Sequence, residues 1–187
     1  MNPIMSKKAF SKTKNLTHIA VFLFVLFYCS TFWGYCAVPT ESMVPTINPG
    51  QLVIYESITA DDLDYGDIVL FIKSDDETLS VPNFFVGNFI YPRQGMVSYT
   101  KRVVGFAGDV IEVHDGYLWR NGEKQIEDYV PEGTLGEFAP YTVPEGYIFC
   151  MGDNRNHSAD SRAFGAFPEN LFYGRAKIIL PDLFPNN

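Results

Sequence analysis

Residues 109–120 read DVIEVHDGYLWR and contain the clearest folding signal in this chain of 187 residues. Short runs with apolar residues flank Asp115-Gly116, a dipeptide typical of the two-residue turns that close β-hairpins. The segment therefore predicts two antiparallel strands, Asp109–His114 and Tyr117–Arg120.

Further short strands are predicted on both sides of this hairpin. Apolar or alternating runs bounded by Gly, Pro, Asn and Asp indicate five of them: Gln51–Glu56, Asp67–Ile72, Met96–Val104, Tyr147–Met151 and Tyr173–Leu180. A short helix is predicted near Pro168–Leu171. Seven short strands joined by turns favour a mainly β domain of antiparallel sheets, which we assign to residues 39–187.

One stretch, residues 73–95, does not fit this strand rhythm. It opens with three acids and becomes aromatic at residues 82–92, which read PNFFVGNFIYP. The insert is either an ordinary hairpin that packs its apolar side on the core or an exposed hairpin that contacts the bilayer. The sequence leaves both interpretations open.

The N-terminal part contains an uncharged run at residues 19–38 (IAVFLFVLFYCSTFWGYCAV). Its 20 residues are enough to cross a hydrocarbon core of about 30 Å as a helix. Four lysines and no acid precede it. The positive-inside rule therefore predicts that residues 1–18 lie in the cytoplasm and that the chain after the anchor lies outside it. A cleaved signal peptide has the same order, but its apolar region is shorter, roughly 7–15 residues. We therefore expect one uncleaved transmembrane signal-anchor helix in the plasma (inner) membrane.

Charge and cysteine content exclude two classes of function. Beyond residue 36 there are 14 − 4 = 10 basic and 22 acidic residues, a net charge of −12, which argues against a nucleic-acid partner. Cys29 and Cys36 fall in the predicted anchor, so no disulfide framework is expected. Cys150 lies in the apolar run YIFCM and is interpreted as a small buried hydrophobe, with a nucleophilic role as the minor alternative.

Four segments combine reactive side chains with residues that shape the backbone: residues 39–46 (PTESMVPT), 65–71 (YGDIVLF), 99–109 (YTKRVVGFAGD) and 151–165 (MGDNRNHSADSRAFG). Each alone is typical of a turn, a strand edge or a polar loop. Together, in this order and behind one anchor, they resemble bacterial type I signal peptidases (leader peptidases), the membrane-bound Ser/Lys endopeptidases of the S26 family. The third and fourth segments are the most specific, although Ala107 stands where the family usually has Pro.

The resemblance implies a role for each of four residues. Ser42 would attack the scissile carbonyl and form an acyl-enzyme, and Lys101 would be the general base. A lysine with its ordinary pKa of about 10.4 is protonated at neutral pH, so Lys101 must be buried among apolar neighbours. The hydroxyl of Ser158 would orient the lysine amine. The hydroxyl of Thr40 and the backbone N–H of Ser42 would stabilise the oxyanion.

The resemblance also implies a structural ion pair between Asp160 and Arg162, and two shallow apolar pockets for an Ala-x-Ala substrate. We expect the pocket walls among five residues: Val38, Met43, Ile47, Tyr99 and Thr100. Ser42 follows Val38 by only four positions, about 13 Å when extended, so the nucleophile would work close to the bilayer. The implied partners are signal-peptide-bearing preproteins and the lipid bilayer. We expect a monomeric enzyme that uses no metal and no cofactor.

Alternatives remain for both mechanism and function. A Ser-His-Asp triad would use His157 or His114 as the base, but both lie outside the matching motif positions. A general signal peptidase, a dedicated peptidase for one substrate class and a catalytically inactive anchored β-domain that binds exported chains are the three functions to be distinguished.

Overall fold

The computed structural model describes residues 17–23, 33–74 and 96–181, and within these ranges eleven strands form two antiparallel sheets. The larger sheet has the spatial order β1 (Trp33–Ala37), β2 (Leu52–Glu56), β11 (Phe172–Ile179), β3 (Ile68–Ser74), β4 (Met96–Gly105), β9 (Tyr147–Met151) and β10 (Phe167–Pro168). The smaller sheet has the order β7 (Glu123–Lys124), β6 (Tyr117–Arg120), β5 (Val110–His114) and β8 (Phe138–Thr142). The prediction of a mainly β domain of antiparallel sheets is confirmed.

Each of the seven predicted strands is present, with ends that differ by no more than two residues. In the β5–β6 hairpin, Asp115 and Gly116 have φ of 53° and 83°, the two positive values that a type I′ turn requires. The prediction missed β1, β7, β8 and β10. Strand β8 contains Pro140 and lies at the edge of its sheet, where a missing N–H donor is tolerated.

Strand β1 corrects one sequence prediction, because residues 33–37 were expected to be helical. They pair with β2 from Trp33↔Glu56 to Ala37↔Leu52, and this pairing satisfies their backbone groups. Residues 17–23 are helical, and residues 24–32 of the predicted anchor lie outside the described residues. No helix within the described ranges is both long enough and apolar enough to cross a membrane.

The core consists of three apolar clusters, which together cover both faces of the central strands. On β3, Leu70 and Ile72 belong to one cluster while Val69 and Phe71 belong to another, as the alternation of a strand requires. A third cluster joins the smaller sheet to the ends of β4 and β9 through Val104, Ile111, Phe149 and Met151. Strand β4 is thus supported from both sides of the larger sheet, and this makes it a rigid base for side chains.

Short helical turns connect the strands. They are the 3₁₀ turns Glu41–Met43, Ala60–Asp62, Arg155–His157 and Glu169–Leu171 and the α-helix Ser161–Phe164. The turn Glu169–Leu171 lies where a short helix was predicted. Residues 75–95 of the predicted insert lie outside the described residues, and they connect β3 to β4, which pair from Ile68↔Arg102 to Ser74↔Met96.

Candidate active site

Ser42 lies in the 3₁₀ turn Glu41–Met43, which follows β1 after three residues. Its side chain is nearly buried, with 6% of the residue surface exposed. Residues 152–162, the polar loop, hold this turn in place through Asn154. The Asn154 backbone N–H donates to the Ser42 carbonyl (3.1 Å), and its side-chain amide donates to the Glu41 carbonyl (3.1 Å). The turn that carries Ser42 and the polar loop therefore form one unit, although more than 100 residues separate them.

Lys101 projects from β4 toward Ser42. Its Nζ lies 2.7 Å from the Ser42 Oγ and 3.1 Å from the Thr100 carbonyl, and only 4% of the residue is exposed. Burial lowers the pKa of Lys101 to about 8, although the negative charges of Asp160 and Asp153 and the thiol of Cys150 act in the opposite direction. A close contact and a lowered pKa are what a lysine base needs.

Thr40 and Ser158, the two predicted supporting hydroxyls, differ in their contacts. The Thr40 Oγ1 lies 3.2 Å from the Ser42 Oγ. The Ser158 Oγ is buried and makes no hydrogen bond with the Lys101 amine, but it acts on the Asp160 carboxyl, whose pKa it helps to lower. Ser158 nevertheless lies close to Ser42, with Gly152 between them. A Cβ added to Gly152 would come within 3.0 Å of both the Ser158 Oγ and the Ser42 carbonyl oxygen. The sequence interpretation named Gly152 only as part of a motif.

Two buried ion pairs hold the polar loop. Asp153 accepts from Arg102 Nε (2.7 Å) and Nη2 (2.5 Å), and Asp160 accepts from Arg162 Nε and Nη2 at 2.9 Å each. Burial acts to raise the pKa of Asp160, but the bonds from Arg162 and from the Gly152 N–H outweigh it and the pKa is lowered. Asp160 is therefore charged at neutral pH, and the Asp153–Arg102 pair ties the loop to β4.

A cleft of about 330 Å³ opens beside the Ser42–Lys101 pair. Three of the five predicted pocket residues line it, namely Val38, Tyr99 and Thr100. Met43 and Ile47 do not, because they are fully buried in the cluster beneath the turn. The remaining lining residues are Cys36, Ala37, Pro39, Thr40, Ser42, Val97, Ser98, Lys101, His157 and Ala159.

The alternative bases and nucleophile are placed differently. His114 stacks on Trp119 in the smaller sheet, with ring centroids 4.4 Å apart. His157 lies at the cleft, but among the described residues the Ser42 hydroxyl bonds only to Lys101 and Thr40. Cys150 is fully buried in the core. Within the described ranges no group of three or more His, Cys, Asp or Glu side chains is arranged to hold a metal ion.

Comparison with known proteins places this chain in a family. The family model described as "Signal peptidase, peptidase S26" matches residues 12–181. The chain is 34% identical over 182 residues to a signal peptidase I of Bacillus licheniformis, a match that covers 90% of this chain and 86% of that protein.

Two other relatives are longer than this chain. One is the thylakoidal processing peptidase 1 of Arabidopsis thaliana, 36% identical over 75% of this chain and 39% of that protein. The other is a probable signal peptidase I-1 of Synechocystis sp., 31% identical over 74% of this chain and 66% of that protein. The chain therefore spans less than two thirds of the length of some relatives. On the family match over residues 12–181 and the 34% identity over 182 residues, this chain belongs to the signal peptidase family, peptidase S26.

Proposed function

We propose that the chain is a membrane-bound serine endopeptidase that removes N-terminal signal peptides from exported preproteins after an Ala-x-Ala-type site. One observation carries the proposal: the Lys101 Nζ lies 2.7 Å from the Ser42 Oγ in a buried setting that lowers the pKa of the lysine to about 8. Membership of the signal peptidase family supports the reaction class.

In the proposed reaction the neutral Lys101 amine accepts the Ser42 proton while the Oγ attacks the scissile carbonyl carbon. The new C–O bond places negative charge on the carbonyl oxygen, which the Ser42 N–H and the Thr40 hydroxyl stabilise. The C–N bond then breaks, and the Lys101 ammonium returns the proton to the leaving amine. Water attacks the acyl-enzyme with Lys101 again as the base, and this step frees Ser42.

The lowered pKa determines how much base is available. At pH 7 a lysine with pKa 10.5 is neutral in fewer than about one molecule in a thousand, whereas with a pKa of about 8 it is neutral in about one in ten. Burial therefore raises the population of the competent amine by roughly 300-fold. No histidine is required for this reaction.

The cleft supports a substrate with small side chains near the cleaved bond. Its walls include Ala37, Val38 and Pro39 together with residues 97–100 of β4. A separate feature supports membrane attachment, because the helical residues 17–23 expose four apolar side chains: Ile19, Val21, Phe22 and Leu23. With residues 1–18 cytoplasmic and the catalytic domain outside, substrate and enzyme would share the plane of the bilayer, which raises their effective concentration.

A dedicated processing peptidase with the same chemistry is the second candidate. The 36% identity to a protein named thylakoidal processing peptidase 1 favours it. Comparing the N-termini of exported proteins in cells with and without this enzyme separates the two: a general peptidase changes many of them, a dedicated one a single class.

The test uses the purified full chain in detergent and a precursor with an Ala-x-Ala site. We expect Ser42→Ala and Lys101→Ala each to abolish cleavage while the circular dichroism spectrum stays unchanged. Lys177→Ala, which alters a half-exposed lysine on β11, is the matched control and should cleave normally. Full activity in Lys101→Ala would refute the Ser/Lys mechanism, and an inactive parent protein that still binds the precursor would favour the inactive binding domain.

A further inference from the structure

The loop at residues 125–130, which follows β7 in the smaller sheet, contacts the polar loop of the site through a buried ion pair. The Glu127 Oε2 accepts from Arg155 Nη1 (2.6 Å) and its Oε1 from Arg155 Nη2 (2.7 Å). The Arg155 side chain is 1% exposed and that of Glu127 10%. The Tyr129 hydroxyl also donates to the Glu127 Oε1 (2.6 Å), so the carboxylate is held in one orientation.

The same loop reaches the strand that carries the lysine. The Tyr129 ring lies under the guanidinium of Arg102, with the Arg102 Cζ 3.8 Å from the ring centroid. Arg102 follows Lys101 on β4, and it also donates to Asp153, to the Gly66 carbonyl and to the Thr46 hydroxyl. A cation–π contact at this distance, with the guanidinium largely buried, restricts the position of Arg102 and of the backbone next to Lys101.

Arg155 connects Glu127 to the nucleophile. Its Nε donates to the Gly152 carbonyl (2.9 Å), and its own carbonyl accepts from Arg162 Nη2 (2.6 Å). The preceding residue, Asn154, holds the carbonyls of Ser42 and Glu41. The path from Glu127 to Ser42 thus runs through one buried guanidinium and one backbone amide.

We propose that Glu127 and Tyr129 are positioning residues for the peptidase reaction, acting through Arg155 on Ser42 and through Arg102 on Lys101. The inference rests on the proposed function. Neither residue belongs to the four segments that carry the family resemblance. Both lie in a loop of the smaller sheet, which gives that sheet a role in keeping the two reacting groups 2.7 Å apart.

The physical reason is the sensitivity of the reaction to geometry. Without the carboxylate of Glu127, the buried guanidinium of Arg155 has no counter-charge and must move toward water or other acceptors. Asn154 would move with it and release the Ser42 carbonyl. A displacement of 1 Å between reacting groups can lower a rate by about 100-fold. Glu127 does not line the cleft, so substrate affinity should be preserved.

The test measures kcat and KM for a precursor peptide with the full chain, together with the thermal midpoint of each variant. For Glu127→Gln we expect kcat to fall by about 10- to 100-fold with KM within about twofold. Tyr129→Phe should lower kcat less, because only one hydroxyl is lost. Glu127→Asp, which keeps the charge, should recover part of the loss. The matched control Glu132→Gln alters an exposed acid in the same region and should match the parent.

A second measurement does not depend on peptidase activity. The rate of reductive methylation of Lys101, followed by mass spectrometry, should rise several-fold in Glu127→Gln because the amine loses its fixed contact with Ser42. If the parent has no peptidase activity, the proposed function fails and methylation alone decides the positioning role. The positioning role would be overturned if folded Glu127→Gln had the kcat and the methylation rate of the parent. It would also be overturned if the loss of kcat were no larger than the fraction of the variant that is unfolded. If Glu127→Gln does not fold, parental values in Tyr129→Phe would overturn it.

Discussion

Replacing Lys101 by Met should stabilise the fold at neutral pH while it abolishes cleavage. Lys101 is 4% exposed and its pKa falls from 10.5 to about 8, so folding must partly desolvate an ammonium group. Each unit of pKa corresponds to 1.36 kcal/mol, so the difference of about 2.5 costs the folded state about 3 kcal/mol at pH 7. Met has a similar length and carries no charge, so the variant avoids this cost.

The pH dependence gives the prediction its sign. Between about pH 8 and 10.5 the unfolded chain holds a proton on Lys101 that the folded protein has lost, so the stability contributed by this group rises with pH in that window. The cost is complete below about pH 8 and falls below about 1 kcal/mol at pH 10. The advantage of Lys101→Met over the parent should therefore be large at pH 7 and small at pH 10.

The assay is the thermal midpoint of parent and variant at both pH values, in the same detergent. For a chain of this size 1 kcal/mol corresponds to about 2–4 °C, so we expect Lys101→Met to melt about 6–12 °C higher at pH 7. Lys177→Met, at a half-exposed lysine, is the control and should show no such pH-dependent gain. An equal effect of Lys101→Met at pH 7 and pH 10 would refute the reasoning, because a change in packing alone has no such pH dependence.

Two further predictions concern the reaction. The rate of cleavage should rise about tenfold per pH unit up to about pH 8 and then level off, because it follows the neutral fraction of Lys101. The measurement is the cleavage rate from pH 6 to 9.5. A flat profile would contradict a lysine base. Gly152→Ala should lower kcat sharply, since its Cβ would press on the backbone carbonyl of Ser42. Gly146→Ala, at a positive-φ turn with no neighbour within 4 Å of the added Cβ, serves as its control, and equal kcat in both variants would contradict the steric argument.

The strands were predictable because their signals are local. The turn Asp115-Gly116 and the continuous apolar run of β3 mark strands without reference to distant residues. Strand β1 was not predictable in the same way, because its run of apolar and small residues suits a membrane helix as well as a strand buried against β2. Only the pairing with β2 (residues 52–56) distinguishes a strand from a membrane helix here. That pairing joins residues about 15 to 23 positions apart, so the local sequence does not reveal it.

The placement of individual site residues shows the same limit. Ser42 and Met43 are adjacent, yet the 3₁₀ turn directs Ser42 to the cleft and Met43 into the core, so nearness in sequence misassigned Met43 as a pocket wall. Glu127 was missed for another reason. Its partner Arg155 is 28 residues away and its segment resembles an ordinary acidic loop, so no spacing rule reveals the buried pair.

The ion pairs around the site also bear on the basicity of Lys101. Asp160 and Asp153 both act to raise the pKa of the lysine, and Asp160 is the stronger of the two. Each of these acids is paired through two bonds with its own arginine, Arg162 or Arg102. A paired carboxylate attracts a nearby ammonium less than a free one does, since the guanidinium charge opposes the attraction. The arginines thus shape the polar loop and also leave desolvation as the dominant influence on Lys101. In the proposed peptidase both conditions meet at one site: Asp153 and Asp160 order the loop, and their arginines weaken the hold of these acids on the Lys101 proton.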